Sequence, residues 1–248
     1  MTMTTPTHRR MERNTSTTEM ALQADLSLIR LLQLASPALP VGAFSYSQGL
    51  EAAVEAGLVH DAASAQRWIA DVLAYSVART EAPALLRLTE SWQSADPTGV
   101  AERNALFLAT REAAELRAET VQMGYSLRRL LASLGVFDPL AVAQLDALDE
   151  PAFPTVFAFA VSQWRIEARP ALLAYLWSWL ENQVMAALKA VPLGQTDGQR
   201  MLLVLGDTLP AMVDDAAAME EDRIGSFAPG LALACSRHET QYSRLFRS

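Results

Sequence analysis

Cysteine and lysine each occur once in this sequence, as Cys235 and Lys189, and histidine occurs three times. A single cysteine excludes an internal disulfide and any cluster of cysteine ligands, and it fits a reducing compartment. His8, His60 and His238 are too scattered for a polyhistidine metal site. One lysine leaves lysine-based phosphate binding or Schiff-base chemistry almost nowhere to sit, and no glycine-rich loop ending in Gly-Lys-Ser or Gly-Lys-Thr occurs. Alternating β-branched runs are nearly absent, which leaves strands without support. The most apolar run, Ala171–Leu180, stops at Glu181, Asn182 and Gln183. That is short of the roughly 20 residues a bilayer crossing needs, so it reads as a buried helix. The polar, Thr-rich start, Met1 to Met20, lacks the apolar centre of a secretory signal. Acidic residues outnumber basic ones 28 to 20, a formal net charge of −8. That balance argues against nucleic-acid binding, which needs a surplus of cations to neutralise phosphate.

What is present points to helices. Hydrophobic residues make up 51% and charged residues 19% of 248, a balance that excludes disorder and provides a sizeable core. Ala, Leu, Glu, Arg and Gln fill the stretches between proline and glycine, and these are strong helix formers. The expected fold is all-α: one helical-bundle domain of about ten helices. Residues 1–24 are expected to form a flexible, disordered N-terminal arm, 25–236 the helical domain and 237–248 a C-terminal tail. A first helix is expected from about Asp25 to Ala35, ended by Pro37. The loop Ser36–Phe44 holds two prolines and a glycine yet is apolar, so it is expected to pack against something. A second helix is expected over Ser45–Ala56. Asp61 reads as the N-cap of a third, to about Arg79, and Pro83 as the first turn of a fourth. Val100–Leu134 reads as one or two helices. Two strongly apolar helices, about Thr155–Glu167 and Pro170–Val191, are the expected bundle centre or an oligomer interface.

Few residues carry recognisable chemistry. Ser45-Tyr46-Ser47-Gln48-Gly49 is a near miss for a hydrolase elbow, with serine where that motif has glycine and no strand before it. Cys235 and His238 are three apart, close enough on a helix to share a soft metal, but two ligands are too few for a stable site. Their ordinary reading is a buried cysteine beside a surface histidine. Asp214, Asp215, Glu220, Glu221 and Asp222 form an acidic cluster that reads as a solvated helix end, with a basic partner or a cation as the alternative. The last twelve residues hold three arginines and two aromatics. Arg, Tyr and Phe are enriched in buried protein–protein contacts, and the arginine fork makes bidentate bonds to carboxylates. The tail therefore reads either as a partner-binding element or as a last helix packed on its own domain.

Two stretches carry a specific likeness. Leu31-Leu32-Gln33-Leu34-Ala35-Ser36-Pro37-Ala38-Leu39-Pro40-Val41-Gly42-Ala43-Phe44-Ser45-Tyr46-Ser47-Gln48-Gly49-Leu50-Glu51 resembles the N-terminal signature of the urease accessory protein UreF family. Gly225-Ser226-Phe227-Ala228-Pro229-Gly230-Leu231 and Arg237–Ser248 resemble its C-terminus. The resemblance implies an all-α, cytoplasmic homodimer that is not an enzyme and holds no cofactor. It implies a chaperone that joins UreD (also called UreH) and recruits the GTPase UreG, which delivers nickel to apo-urease. It further implies that nickel passes through the accessory complex rather than staying in this subunit, and that the tail becomes ordered when UreD binds. Carried onto this sequence, the partner-binding residues are Ser45, Tyr46, Gln48, Glu51, Arg237, His238, Glu239, Gln241, Tyr242, Arg244, Phe246 and Arg247. No catalytic or metal-binding residue is expected, and neither nucleic acid nor membrane is an expected partner. The alternative is a GTPase-activating role on UreG through an inserted arginine. Phe44 and Leu50 read equally well as core or as contact.

Overall fold

A computed structural model describes the backbone of residues 7–247 and the side chains of residues 19–247. Met1–Pro6 of the expected arm and Ser248 of the tail lie outside the described residues.

All regular structure among the described residues is helical. The helices are α1 (Thr7–Leu34), α2 (Leu50–Glu55), α3 (Ala62–Val72), α4 (Ala78–Gln93), α5 (Pro97–Ala109) and α6 (Ala114–Leu134). They continue with α7 (Pro139–Asp146), α8 (Phe153–Gln163), α9 (Ala168–Ala190), α10 (Gln195–Gly206), α11 (Leu209–Ala218) and α12 (Pro229–His238). The two apolar helices read from sequence are α8 and α9, and they form the centre. On α8, Val156, Phe157, Ala158, Phe159, Ala160 and Val161 are all fully buried. α4 and α6 pack on α8, while α9 meets α10, α11, α4 and α1. Phe157 lies edge-on to Tyr175 of α9 at 5.2 Å, and Phe159 edge-on to Trp92 of α4 at 5.2 Å. Such edge-to-face pairs add to the area term that drives the packing.

A buried helix start must find partners for its free N–H groups. At α8 these come from other helices. Asn104 Oδ1 accepts the N–H of Ala152 at 2.9 Å and the Thr155 hydroxyl at 2.7 Å, and Thr120 Oγ1 accepts the N–H of Phe153 at 3.1 Å. Gly124 lets α6 approach this same entry. A Cβ there would stand 2.0 Å from the Pro151 carbonyl oxygen, so only glycine fits.

Local signals set most boundaries, and three differ from the sequence reading. α1 begins at Thr7 rather than near Asp25, because no proline or glycine interrupts the chain between Pro6 and Pro37. Residues 45–56 are not one helix: a 3₁₀ turn at Ala43–Ser45 gives way to α2 only at Leu50, because Gln48 and Gly49 both take left-handed backbone, φ 49° and 75°. Pro83 does not open a helix but lies inside α4. Asp61 caps α3 in a box with Ser64, and the helix runs on through a π-helical stretch, Leu73–Val77, into α4. Val100–Leu134 resolves into α5 and α6, parted by residues 110–113.

Candidate functional site

The conspicuous local feature is the meeting of three distant pieces: the loop and short helix at residues 43–51, the start of α6, and the C-terminal tail. Glu51 stands in the first turn of α2, whose start is held by Ser47 Oγ accepting the Glu51 N–H at 3.3 Å. The Glu51 carboxylate receives the backbone N–H groups of Leu245 at 2.6 Å and Phe246 at 2.9 Å. Arg247 donates its backbone N–H to the Ser45 carbonyl at 2.7 Å. The tail therefore folds back along the loop as a bent strip. The Phe246 ring is buried, and the Lys189 ammonium lies 5.8 Å from its centre and 5.9 Å from that of exposed Phe44. Such cation–ring contacts are attractive.

The start of α6 supplies the other half. Glu239 Oε1 accepts the Ala114 N–H at 3.0 Å and so caps α6 from the tail. Glu115 accepts from Arg244 at 2.8 Å. Arg244 is itself fixed by donating to the carbonyls of Gln241 and Glu239. His238, fully buried at the end of α12, has Nδ1 2.8 Å from Glu115 Oε2 and Nε2 3.3 Å from Glu51 Oε2. Carboxylates and arginine forks in this arrangement make charge-assisted bonds, roughly twice as strong as neutral ones.

Below the loop, Gln48 bridges inward. Its Nε2 donates to Glu119 at 2.8 Å and its Oε1 accepts from the Trp179 indole at 2.8 Å. These two bonds hold a non-glycine residue in a left-handed conformation, a cost that a fold accepts only when its surroundings fix it. Gly49 beside it sits against α12, where a Cβ would be 3.0 Å from that of Ala234. Tyr46 is buried. Burial first, and then Glu119, push its ionisation up, with Arg247 opposing. Asn182 ties α9 to the loop through the Ala43 carbonyl at 2.9 Å. A cavity of about 160 Å³ runs beneath the loop, past Leu39, Phe44, Gln48, Trp179 and Lys189, to a buried trio. In that trio Arg111 donates to Glu81 at 2.9 Å and Tyr175 donates to the same carboxylate at 2.6 Å.

The residues expected to bind partners are thus brought together, but they divide into two groups. Tyr46, Gln48, Glu51, His238 and Phe246 face inward and hold the strip in place. Glu239 and Arg244 hold it from exposed positions, and Ser45 and Gln241 contribute through backbone carbonyls. Arg237, Tyr242 and the side chain of Leu245 are exposed, Tyr242 completely. Phe44 is a surface residue and Leu50 is core. Residues not anticipated are Glu115, Glu119, Trp179, Asn182 and Lys189. Their partners lie far away in sequence, and local spacing carries no trace of them.

The Cys235–His238 pair does not form a soft-ligand site. Both ring nitrogens of His238 face carboxylates, and Cys235 is buried with its thiol pushed up to about 12, by desolvation first and then by Glu119 and Glu115. A thiol held protonated is a poor ligand and nucleophile. In the acidic cluster, Asp214 pairs with Arg169 and Glu221 lies 3.7 Å from Arg103. Among the described residues no group of three His, Cys, Asp or Glu is placed to hold a metal, and no helix is long and apolar enough to cross a membrane.

Comparison with known proteins fits this picture. Residues 59–206 match the UreF family model. The urease accessory protein UreF of Azoarcus sp. (strain BH72) is 62% identical over 225 residues, which cover 90% of this chain and 96% of that protein. That of Dechloromonas aromatica (strain RCB) is 56% identical over 224 residues, 90% and 98% of the two chains. That of Methylobacillus flagellatus is 52% identical over 222 residues, with the same coverage of each chain. An all-helical chain matching these proteins along nine-tenths of its length belongs to the urease accessory protein UreF family.

Proposed function

We propose that this chain acts in urease maturation as a scaffold without a reaction centre of its own. It binds UreD/UreH through the face built from residues 43–51 and the tail, and that complex recruits the GTPase UreG for nickel insertion into apo-urease. The working form is a cytoplasmic homodimer. The observation that supports this most is the clasped tail: it is fixed by Glu51, Glu115 and Ser45, yet it turns Arg237, Tyr242 and Leu245 to solvent. A fixed strip with outward arginine and aromatic side chains suits a hot spot, because its ordering cost is met within the subunit. The apolar surface of α1, with Leu22, Leu28, Ile29 and Leu32 exposed, also suits a subunit that works under partners.

Removing Arg237–Ser248 tests this reading. The truncated chain is expected to keep its helix content and dimeric size but to lose co-purification with UreD, and with it UreG. Full-strength capture of UreD by the truncated chain would refute the tail as docking element. The second reading, GTPase activation, draws on Arg237, which is exposed and has no ion pair among the described residues. Single-turnover GTP hydrolysis by UreG in the assembled complex, with Arg237→Ala as comparison, separates the two: acceleration that falls with the substitution supports activation, and equal rates leave the scaffold alone.

A further inference from the structure

We infer that His238 is a protonation-dependent clasp that governs whether the C-terminal strip lies on the domain. The inference rests on the tail as the docking element and adds a regulation of that same site.

An imidazole carries two ring nitrogens, of which the neutral form makes one a donor and the other an acceptor, while an ionised carboxylate only accepts. His238 presents Nδ1 to Glu115 at 2.8 Å and Nε2 to Glu51 at 3.3 Å. Both contacts are attractive only when both nitrogens carry protons. The ring is fully buried, so water does not take the place of either partner. Loss of one proton keeps the shorter bond, Nδ1 to Glu115, and leaves the Nε2 lone pair facing the Glu51 carboxylate. Glu115 retains Arg244 as a cation, at 2.8 Å. Glu51 retains only the backbone N–H groups of Leu245 and Phe246, and its side chain is 13% exposed. A carboxylate that buried, next to a lone pair and without a cation, turns outward. The two amides it holds turn with it, and the Phe246 ring leaves its place beside Lys189.

The other ionisable groups on the elements around the ring are Glu55 on α2, Glu112 and Glu119 before and within α6, and Tyr46 in the loop. On the α12 side they are Cys235, Arg237, Glu239, Arg244 and Arg247. Burial holds Tyr46 protonated, Glu119 accepts from Gln48, Glu239 caps α6 and Cys235 stays protonated. The contact that reverses sign when the ring loses a proton is therefore His238 with Glu51.

The test follows the amide hydrogens of Leu245 and Phe246 in the full-length chain, as protection relative to an unstructured peptide at the same pH. The measurement spans about pH 5 to about pH 8. The wild-type strip is expected to lose protection as pH rises, by up to about tenfold per pH unit, the limit for one proton. His238→Gln is expected to be poorly protected throughout. Glu115→Gln, whose amide donates to the ring and suits its neutral form, is expected to stay protected at both ends. Wild-type protection that is flat with pH, or a step that survives in either variant, would overturn the inference. No partner enters this measurement, so its failure is separate from that of the docking reading.

Discussion

The backbone N–H of Gly225 donates to the carbonyl of Arg79 at 3.2 Å, and Arg79 is the acceptor that Pro83, four residues on, leaves without its helical donor. One turn earlier, within the π-helical stretch, the Tyr75 carbonyl takes the N–H of Phe227 at 2.8 Å. A proline inside a helix thus becomes an anchor for the strap that leads into α12. Pro83→Ala restores a competing N–H at Arg79. Amide exchange at Gly225 is expected to quicken. Global stability should move by less than about 1 kcal/mol, because one backbone bond replaces another. Unchanged protection at Gly225 would contradict this.

The Glu81–Arg111–Tyr175 trio is a structural tie between α4, α9 and the segment before α6. Burial first, and then the Glu81 charge, push the Tyr175 phenol well above its ordinary range, so it serves as a donor throughout. Glu81→Ala leaves the Arg111 guanidinium, only 7% exposed, without its anion. Urea unfolding is expected to show a loss of about 3–5 kcal/mol. Tyr175→Phe, which removes one donor to a charged group, should cost about 1.5–3 kcal/mol.

Cys235 gives a pH signature. Its thiol is raised from 9.0 to about 12 by burial and nearby carboxylates, so the folded state holds its proton more tightly than the unfolded chain. The associated stability is present in full below about pH 9 and is lost as pH rises toward about 12. Alkaline unfolding of Cys235→Ala is therefore expected to depend less steeply on pH than that of the wild type. The native thiol should also resist alkylation at neutral pH.

Gly124→Ala places a methyl where the Pro151 carbonyl stands. The α6–α8 contact must open, and a loss of about 1–3 kcal/mol is expected in chemical denaturation. A neutral result would mean that the α8 entry is looser than its Asn104 and Thr120 bonds imply.

How far the sequence could be read depended on whether the deciding interaction was local. Asp61 caps its helix through its own neighbour Ser64, and that start was legible. The apolar density of α8 and α9 marked the centre without any knowledge of what packs on it. Pro83 was misleading, since a proline reads as a start unless the donor that replaces its N–H is known, and Gly225 lies 142 positions away. Residues 45–56 read as one helix because nothing in the sequence reveals that Trp179 and Glu119 hold Gln48 in a left-handed turn. The candidate site was legible as a set through its family likeness. The inward roles of Glu51, His238 and Phe246 were not, because they depend on Glu115 and Lys189 arriving from other helices.

The central claim is that the strip fixed by Glu51 and Phe246 forms the partner surface. Its most direct test is equilibrium titration of purified UreD/UreH with the full-length chain and with a Glu51→Gln, Phe246→Ala variant. Burying Phe246 is worth about 1.5–3 kcal/mol, and 1.4 kcal/mol is tenfold in affinity. The variant is expected to keep wild-type helix content and to bind at least about tenfold more weakly. Equal affinity from an equally folded variant would contradict the account.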